Sequence, residues 1–225
     1  RKPDPAIFHF AASLANVPTS ECVYIGDRIA RDIVGATRAG FGLAVQITHG
    51  FDHGEPDEGA GPDAIISDLN PLVEILRSIT NQQISKLFSD QQMNKSIRAI
   101  LFDAGDILYY RPRKRKHLIK FLKQLGLEKI HADENERKTL EQQAFQGQIS
   151  HQEYRKAIIG LHGITKPDLI IKGVKVLEQE DNDIEFFEGV CDTLHLLKEK
   201  GFLLGVFTDT AAPLNVKISW FEKGG

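Results

Sequence analysis

Two kinds of hydrophobic pattern alternate along this chain. Short apolar runs rich in β-branched and aromatic residues predict buried strands, and the clearest are CVYI at 22–25, LAVQI at 43–47, AILF at 99–102 and FLLGVF at 202–207. Between these runs, apolar residues recur at helical spacing. Strands that alternate with helices through short turns favour an α/β fold with a doubly wound, parallel (Rossmann-like) sheet, which is the fold class we predict.

Helices are predicted on both sides of these strands. Asp4 and Pro5 are the N-cap and first residue of one helix, and the spacing predicts a shared face formed by Ala6, Ile7, Phe10, Ala11 and Leu14. A second amphipathic helix is predicted to begin at Asp68, with an apolar face of Leu69, Leu72, Val73 and Leu76. Helical patterns also cover most of the stretch from 116 to about 180.

A polar stretch interrupts the chain near its middle. Residues 80–96 are rich in Gln and Ser and show little periodicity, so we predict a linker there, with one part at 1–79 before it and another at 97–225 after it. Glycine, proline and acidic residues at 49–62 predict a loop.

Composition narrows the class of protein. The 225 residues are 41% hydrophobic and 26% charged, which is typical of a globular protein, and the net charge of -3 does not favour nucleic acid as a partner. No apolar run approaches the roughly 20 residues of a membrane span. Two distant cysteines, Cys22 and Cys191, indicate neither a disulfide framework nor a zinc site, and a cytoplasmic location is predicted.

One segment departs from this acidic balance. The run RPRKRK at 111–116 is strongly basic, but only Tyr109 and Tyr110 adjoin it as aromatic residues. We interpret it as a solvated hinge or as a rim that attracts an anionic substrate, and not as a nucleic-acid or nuclear-import signal.

The candidate chemistry lies where strands end. Asp27, Asp103 and Thr208 each follow a predicted strand, and a parallel sheet brings such positions to one edge, where α/β proteins bind ligands. Carboxylates there are ligands for Mg2+, and a carboxylate can attack phosphorus. A lysine and a hydroxyl would balance charge on a transferring phosphoryl group. Helix capping by Asp27 and Asp32, and an ordinary strand-end role for Thr208, remain alternatives.

Four motifs resemble one family. The stretches KPDPAIF, YIGDRIARDIVGA, AILFDAGDIL and LLGVFTDT resemble the signature motifs of the haloacid dehalogenase superfamily, in the branch with a helical cap inserted after the first strand. The resemblance implies that residues from about 111 to 185 form the cap. It also implies Mg2+ as the cofactor and a small phosphorylated metabolite as the substrate; it does not indicate an oligomeric state.

The resemblance implies a role for each motif residue. Asp103 would be the nucleophile and a metal ligand, and Asp27 would bind the metal with Asp32 in support. The phosphate would be bound by the hydroxyl of Thr208 and by Lys2, which also steadies the nucleophile, and Asp209 would contact the substrate.

One position departs from the family pattern. Many phosphatases of the family carry an aspartate two residues after the nucleophile as the general acid, and here that residue is Gly105. The carbonyl of Gly105 would still be able to bind the metal. Asp106, one residue later, is either a replacement acid or a turn residue.

The motif order also departs from the family. Residues 1–79 resemble the C-terminal half of a core domain, and 97–225 resemble the N-terminal half with its cap. The chain is therefore expected to be either a piece of a tandem-domain protein or a circular permutant. In a permutant, Lys2 and Asp27 should pack against Asp103 and Thr208 across one sheet.

The predicted function is a Mg2+-dependent phosphomonoester hydrolase that forms an aspartyl-phosphate on Asp103. One alternative is a non-catalytic or regulatory domain, which the glycine at 105 and the motif order keep open. Another is hydrolysis of a carbon–halogen bond, against which the acidic pair Asp27 and Asp32 counts, because attack on a haloacid needs no metal.

Overall fold

The computed structural model divides the chain into two compact units. The first unit is Arg1–Tyr110 with Phe186–Thr208, and the second is Arg111–Glu185 with Asp209–Gly225. The residues that the structure describes are 2–49, 61–78, 96–127, 133–208 and 214–224. The predicted linker at 80–96 therefore lies almost entirely outside the described residues, as does most of the predicted loop at 49–62.

Parallel strands form the centre of the first unit. Seven strands are described in chain order: β1 Cys22–Gly26, β2 Leu43–Ile47, β3 Ala64–Ile66, β4 Ala99–Phe102, β5 Tyr109–Tyr110, β6 Glu185–Phe186 and β7 Leu203–Val206. Five of them make a sheet in the order β3-β2-β1-β4-β7, and every pairing in it is parallel. β5 and β6 form a separate two-stranded sheet. The predicted parallel α/β sheet is confirmed.

The register of this sheet aligns the ends of its strands. Ile25 pairs with Phe102, and Phe102 pairs in turn with Val206. The residues that follow β1, β4 and β7 therefore emerge at one edge of the sheet, because all three strands run in the same direction.

Helices connect the strands and fill the second unit. In chain order they are α1 Pro5–Leu14, α2 Val34–Arg38, α3 at 72–78, α4 Lys116–Gln124, α5 Glu134–Phe145, α6 His151–Gly160, α7 Pro167–Asp181, α8 Val190–Glu199 and α9 Leu214–Gly224. A π-helical turn, Ile29–Ile33, precedes α2, and a 3-10 turn, Thr19–Glu21, precedes β1. The predicted helical insertion between β5 and β6 thus consists of four helices in the described residues.

Both faces of the central strands β1 and β4 are buried, as in a doubly wound fold, whereas the outer strands β3 and β7 are partly exposed. On one face, Phe8 of α1 packs edge-on against Tyr24 and Phe207, with ring centroids 5.1 and 5.2 Å apart. Gly35 permits this approach, because a Cβ there would lie 2.3 Å from the ring of Phe8. Side chains that alternate to the opposite face, such as Ile25 and Ile100, are also fully buried.

Two details of the predicted helices differ from the structure. α1 buries Phe8, Ala11 and Ala12, whereas Phe10 and Leu14 of the predicted face are 62% and 74% exposed. The prediction was right for Ala11 and Ile7, which pack in the core, and wrong for Phe10 and Leu14, because the sheet surface meets the side of α1 that carries Phe8. The helix expected from Asp68 begins at 72, since the Asp68 carboxylate accepts a hydrogen bond from the Asn70 backbone and holds a turn there.

The second unit has its own core. α4, α6 and the loop after α6 contribute the buried residues Leu118, Phe121, Leu122, Ile159 and Ile164. Ser150 and Glu153 form a reciprocal capping box that begins α6. Among the described residues, no helix is long and apolar enough to cross a membrane.

Candidate active site

Lys2 lies at the centre of a buried cluster of charges in the first unit. Its Nζ is 2.8 Å from Asp32 Oδ1 and 2.8 Å from Asp103 Oδ2, and its side chain is fully buried. Asp4, two residues after the lysine, accepts a hydrogen bond from the Ala6 backbone and caps the start of α1 at Pro5. The helix cap therefore fixes the backbone beside Lys2.

Three carboxylates meet at the edge of the sheet beside this lysine. One oxygen each from Asp27, Asp32 and Asp103 lies within 4.8 Å of the others. Asp27 follows β1 and Asp103 follows β4, and the backbone N–H of Asp103 donates to the carbonyl of Ile25 at 2.9 Å. The pairing of β1 with β4 therefore brings the two strand-end aspartates together.

The crowding of these groups changes the acidity of Asp27. Burial is the main reason that its pKa rises from the ordinary 3.8 to about 7, and the nearby charges of Asp32 and Asp103 raise the pKa further. The Arg28 guanidinium is 3.8 Å from Asp27 but is 45% exposed, so it compensates this charge only weakly.

Asp32 is held on both of its oxygens. Its Oδ1 accepts hydrogen bonds from Lys2 and, at 3.2 Å, from the Tyr24 hydroxyl, while its Oδ2 accepts one at 3.2 Å from the Arg28 backbone. The side chain also lies against the end of β1, because a Cβ on Gly26 would be 2.4 Å from the Asp32 Cβ. Asp32 therefore orients Lys2 as well as adding to the carboxylate cluster.

Aromatic rings line the other side of the lysine. Lys2 Nζ lies 5.5 Å from the centroid of the Tyr24 ring and 5.6 Å from that of Phe207. These cation–π contacts stabilise a buried ammonium that has little access to water. They also tie Lys2 to the residue that precedes Thr208.

Asp103 and Thr208 lie at the same edge of the sheet. Asp103 Oδ1 accepts a hydrogen bond at 2.7 Å from the Ala104 backbone, and the side chain retains 14% exposure. The Phe207 N–H donates to the carbonyl of Phe102 at 2.8 Å, which extends the pairing of β4 and β7 by one residue. Thr208 therefore follows next to the loop that carries Asp103. Asp209 lies outside the described residues.

Gly105 and Asp106 belong to a tight turn after β4. Asp106 has a positive φ of 61°, is exposed, and donates its backbone N–H to the carbonyl of Tyr109 at 2.8 Å. The structure does not place the Asp106 carboxylate in the cluster of Asp27, Asp32 and Asp103. This geometry favours the turn interpretation of Asp106. The position of Gly105 is open, since no atom lies within 4 Å of a Cβ built there.

Three contributors were not identified from the sequence. They are the hydroxyl of Tyr24, the glycine at 26 and the side chain of Gln46, whose Nε2 donates to the Asp27 carbonyl at 3.0 Å. A tyrosine in an otherwise apolar strand was the one available signal, because a buried hydroxyl needs a hydrogen-bond partner.

The donor set fits a divalent cation. Carboxylate oxygens are the hard ligands that Mg2+ prefers, and one lysine cannot balance three neighbouring carboxylates. A bound cation would also favour the ionised form of Asp27. Asp27, Asp32 and Asp103 are the residues that could hold it, since each offers a carboxylate oxygen within 4.8 Å of the others.

Comparison with known proteins gives matches that each cover about a third of the chain. Residues 1–72 match the family model described as HAD-hydrolase-like. A probable phosphoglycolate phosphatase of Pseudomonas savastanoi is 36% identical over 73 residues, which cover 32% of this chain and 44% of the relative. A phosphoglycolate phosphatase of Pseudomonas savastanoi pv. phaseolicola has the same identity over 73 residues, which cover 26% of its length. The chain thus spans less than half the length of these curated relatives.

A solved structure matches a similar share of the chain. The crystal structure of a 2-haloacid dehalogenase from Pseudomonas syringae pv. tomato is 37% identical, covers 35% of this chain and 33% of its own, and has a TM-score of 0.31. Residues 1–72, which carry Lys2, Asp27 and Asp32, are thus similar to the HAD-hydrolase-like family over about a third of the chain.

Proposed function

We propose that this site hydrolyses phosphomonoesters of small metabolites with the help of Mg2+. The observation that carries the proposal is the position of Lys2 Nζ, 2.8 Å from Asp103 and 2.8 Å from Asp32, beside a third carboxylate on Asp27. An ammonium in contact with a partly exposed carboxylate at a strand end reduces the repulsion between that carboxylate, as the nucleophile, and a phosphate dianion.

In the proposed reaction, Asp103 is the nucleophile. One of its carboxylate oxygens attacks phosphorus, the ester P–O bond breaks, and the leaving oxygen takes up a proton from water as the alcohol departs. Water then attacks phosphorus in the aspartyl-phosphate, which releases inorganic phosphate and restores the carboxylate. Lys2 and Thr208 are proposed to bind the phosphoryl oxygens, and Asp209 is proposed to contact the substrate.

The metal is proposed to be held by Asp27 and Asp103, with the carbonyl of Gly105 as a further ligand and Asp32 in support. When bound, Mg2+ would offset the charge of the carboxylates and of the phosphoryl oxygens. We propose that the parts before and after the linker together supply this one site, which the contact of Lys2 with Asp103 supports. Residues from about 111 to 185 are proposed to act as the cap.

The names of the relatives indicate which substrate to test first. Two relatives that align with 73 residues of this chain are named phosphoglycolate phosphatase or probable phosphoglycolate phosphatase. Phosphoglycolate is therefore the first metabolite to test, together with p-nitrophenyl phosphate as a general probe. Asp103→Asn keeps the size of the side chain but removes the attacking oxyanion. The matched control is Asp192→Asn, which makes the same change at an exposed position of α8.

We expect release of phosphate with Mg2+ and none in excess chelator. Asp103→Asn should lose at least about a thousandfold in kcat, because the covalent step is removed, whereas Asp192→Asn should match the wild type. Equal rates in chelator, or full turnover in Asp103→Asn, would contradict the proposal. A protein that gains thermal stability with Mg2+ yet hydrolyses nothing would instead support the non-catalytic alternative.

A further inference from the structure

The helical second unit contains a cavity of about 710 Å3 that is partly open to solvent. One part of its wall is apolar and includes Leu118 and Leu122 of α4, Ile158 of α6 and Leu177 of α7. A volume of this size is typical of sites for small organic ligands. None of the residues that line it belongs to the carboxylate cluster of the first unit.

The rest of the wall is strongly basic. Five cationic side chains line the cavity: Arg111, Lys114, Arg115, Arg137 and Arg155. Three carboxylates accompany them, on Glu134, Glu180 and Asp181, so the lining carries a net charge of about +2 when its histidines are neutral. This is the reverse of the balance of the whole chain, whose net charge is -3.

The three carboxylates already have partners. Asp181 accepts from Arg155 at 2.6 Å, and Glu134 accepts from Arg137 at 2.6 Å. Glu180 accepts from the backbone N–H groups of His117 and Leu118, where it caps the start of α4. These carboxylates are therefore committed to structural contacts.

Lys114 and Arg115 are the cationic side chains of the cavity that have no close carboxylate partner in the described part of the chain, although the charge of Arg115 is felt by Glu134. Both are exposed at the cavity, and neither forms an ion pair with any residue that the structure describes. Arg115 also has a φ of 65°, a conformation that an arginine adopts at a cost. They belong to the basic run at 111–116, which the proposed hydrolysis does not use.

One ring nitrogen of His151, a residue of the cavity wall, lacks a hydrogen-bond partner within the part of the chain that the structure describes. His151 Nε2 lies 3.4 Å from Asp181, and the other ring nitrogen, Nδ1, is buried without a hydrogen-bond partner among the described residues. Buried polar atoms are normally satisfied, so an unpaired nitrogen on the side chain of a cavity-lining residue indicates that a polar partner is missing.

We propose that this cavity binds a small organic anion with one carboxylate or phosphate head and an apolar body. The head contacts Lys114 and Arg115, since arginine pairs with such groups through two parallel hydrogen bonds. The apolar body lies against Leu118, Leu122 and Ile158, where its burial contributes free energy of binding. This inference does not depend on the proposed hydrolysis.

A pair of fluorescent probes tests separately the contribution of the anionic head and that of the apolar body. Anilinonaphthalene sulfonate carries an anionic head on an aromatic body, and phenylnaphthylamine has the same body without the charge. We expect the full chain to bind the anionic probe with saturable affinity and the neutral probe at least about tenfold more weakly, because only the former meets the basic side chains.

Variants then locate the site. The double change Lys114→Glu with Arg115→Glu should lower the affinity for the anionic probe by about tenfold or more and leave the affinity for the neutral probe unchanged. The matched control is Lys172→Glu with Lys175→Glu, which makes the same charge change at exposed positions of α7 outside the cavity. Ile119→Trp, which adds bulk at the cavity wall, should weaken both probes.

A further variant separates binding from folding. Arg115→Gly should raise the melting temperature, because glycine suits the positive φ, and should still lose affinity for the anionic probe. Competition by octanoate and by octyl phosphate then distinguishes a carboxylate head from a phosphate head, according to which displaces the probe at the lower concentration.

Three results would overturn the proposal. The first is equal affinity of the wild type for the two probes. The second is an equal loss of affinity for the anionic probe in the Lys114/Arg115 variant and in its Lys172/Lys175 control. The third is failure of both octanoate and octyl phosphate to displace the anionic probe.

Discussion

The hydroxyl of Tyr24 lies 3.2 Å from Asp32 Oδ1, the same oxygen that Lys2 contacts at 2.8 Å. A tyrosine within β1 thus helps to hold the carboxylate that orients the lysine. The relationship makes Tyr24 a positioning residue for the proposed chemistry, although it is buried and lies behind the reacting groups.

Tyr24→Phe tests this role. The ring keeps its packing against Phe8, but Asp32 loses one hydrogen bond, so we expect the free energy of unfolding to fall by only about 1 kcal/mol. We expect kcat for a phosphomonoester to fall several-fold, because Lys2 is less firmly placed. Steady-state kinetics and urea unfolding measure the two effects, and an unchanged kcat would remove Tyr24 from the site.

Gly26→Ala should disrupt the approach of Asp32 to the end of β1. A Cβ at position 26 would lie 2.4 Å from the Asp32 Cβ, so we expect a loss of about 1–3 kcal/mol in the free energy of unfolding, together with loss of activity. Gly160→Ala is the matched control, since nothing lies within 4 Å of a Cβ there and alanine favours the helix. Chemical denaturation should show opposite signs for the two variants.

Asp27→Asn should stabilise the metal-free protein in a pH-dependent way. The carboxyl has a pKa of about 7 in the folded protein against an ordinary 3.8, so the folded state binds the proton more tightly than the unfolded state. The stability that this bound proton contributes is complete below about pH 4 and is lost as the pH rises through 7. The asparagine variant does not undergo this loss.

We therefore expect Asp27→Asn to exceed the wild type by roughly 2–4 kcal/mol in free energy of unfolding at pH 8 and to differ little at pH 4. Urea unfolding in chelator at pH 4, 6 and 8 measures the difference. Mg2+ should reduce it at pH 8 by binding only the wild type tightly. Parallel stability curves for the two proteins from pH 4 to 8 would show that Asp27 does not titrate as described.

Gly105→Asp should add the acid that the family resemblance leads one to expect. The position has room for a side chain and its φ is not positive, so little stability should be lost. We expect a larger gain in kcat for alkyl phosphates than for p-nitrophenyl phosphate, because a poor leaving group depends more on protonation. Equal changes for both substrates would argue against acid catalysis from this position.

Asp106→Gly separates the two interpretations of Asp106. Glycine adopts the positive φ of 61° without cost, so a turn residue should be replaced with a small gain in stability and no change in kcat. A selective loss of alkyl phosphate turnover would identify Asp106 as the general acid instead.

Sequence reasoning predicted the placement of Asp27 and Asp103 because both follow apolar strands, and parallel strands share one edge. The contacts of Tyr24 and Gln46 were not predictable, because they depend on the register of neighbouring strands and on side-chain direction. The cavity in the second unit was also beyond sequence reasoning, since helical spacing identifies an apolar face but not how completely the facing helices fill the space between them.

The order of the strands has a consequence for synthesis on the ribosome. β1 lies between β2 and β4 in the sheet, but β4 follows it in the chain only after β2, β3 and the polar stretch at 80–96. A nascent chain therefore emerges with one edge of β1 unpaired until Phe102 has left the exit tunnel. Such an edge is a template for wrong pairing, so this protein should depend on chaperones during translation more than a chain whose neighbouring strands are made in succession.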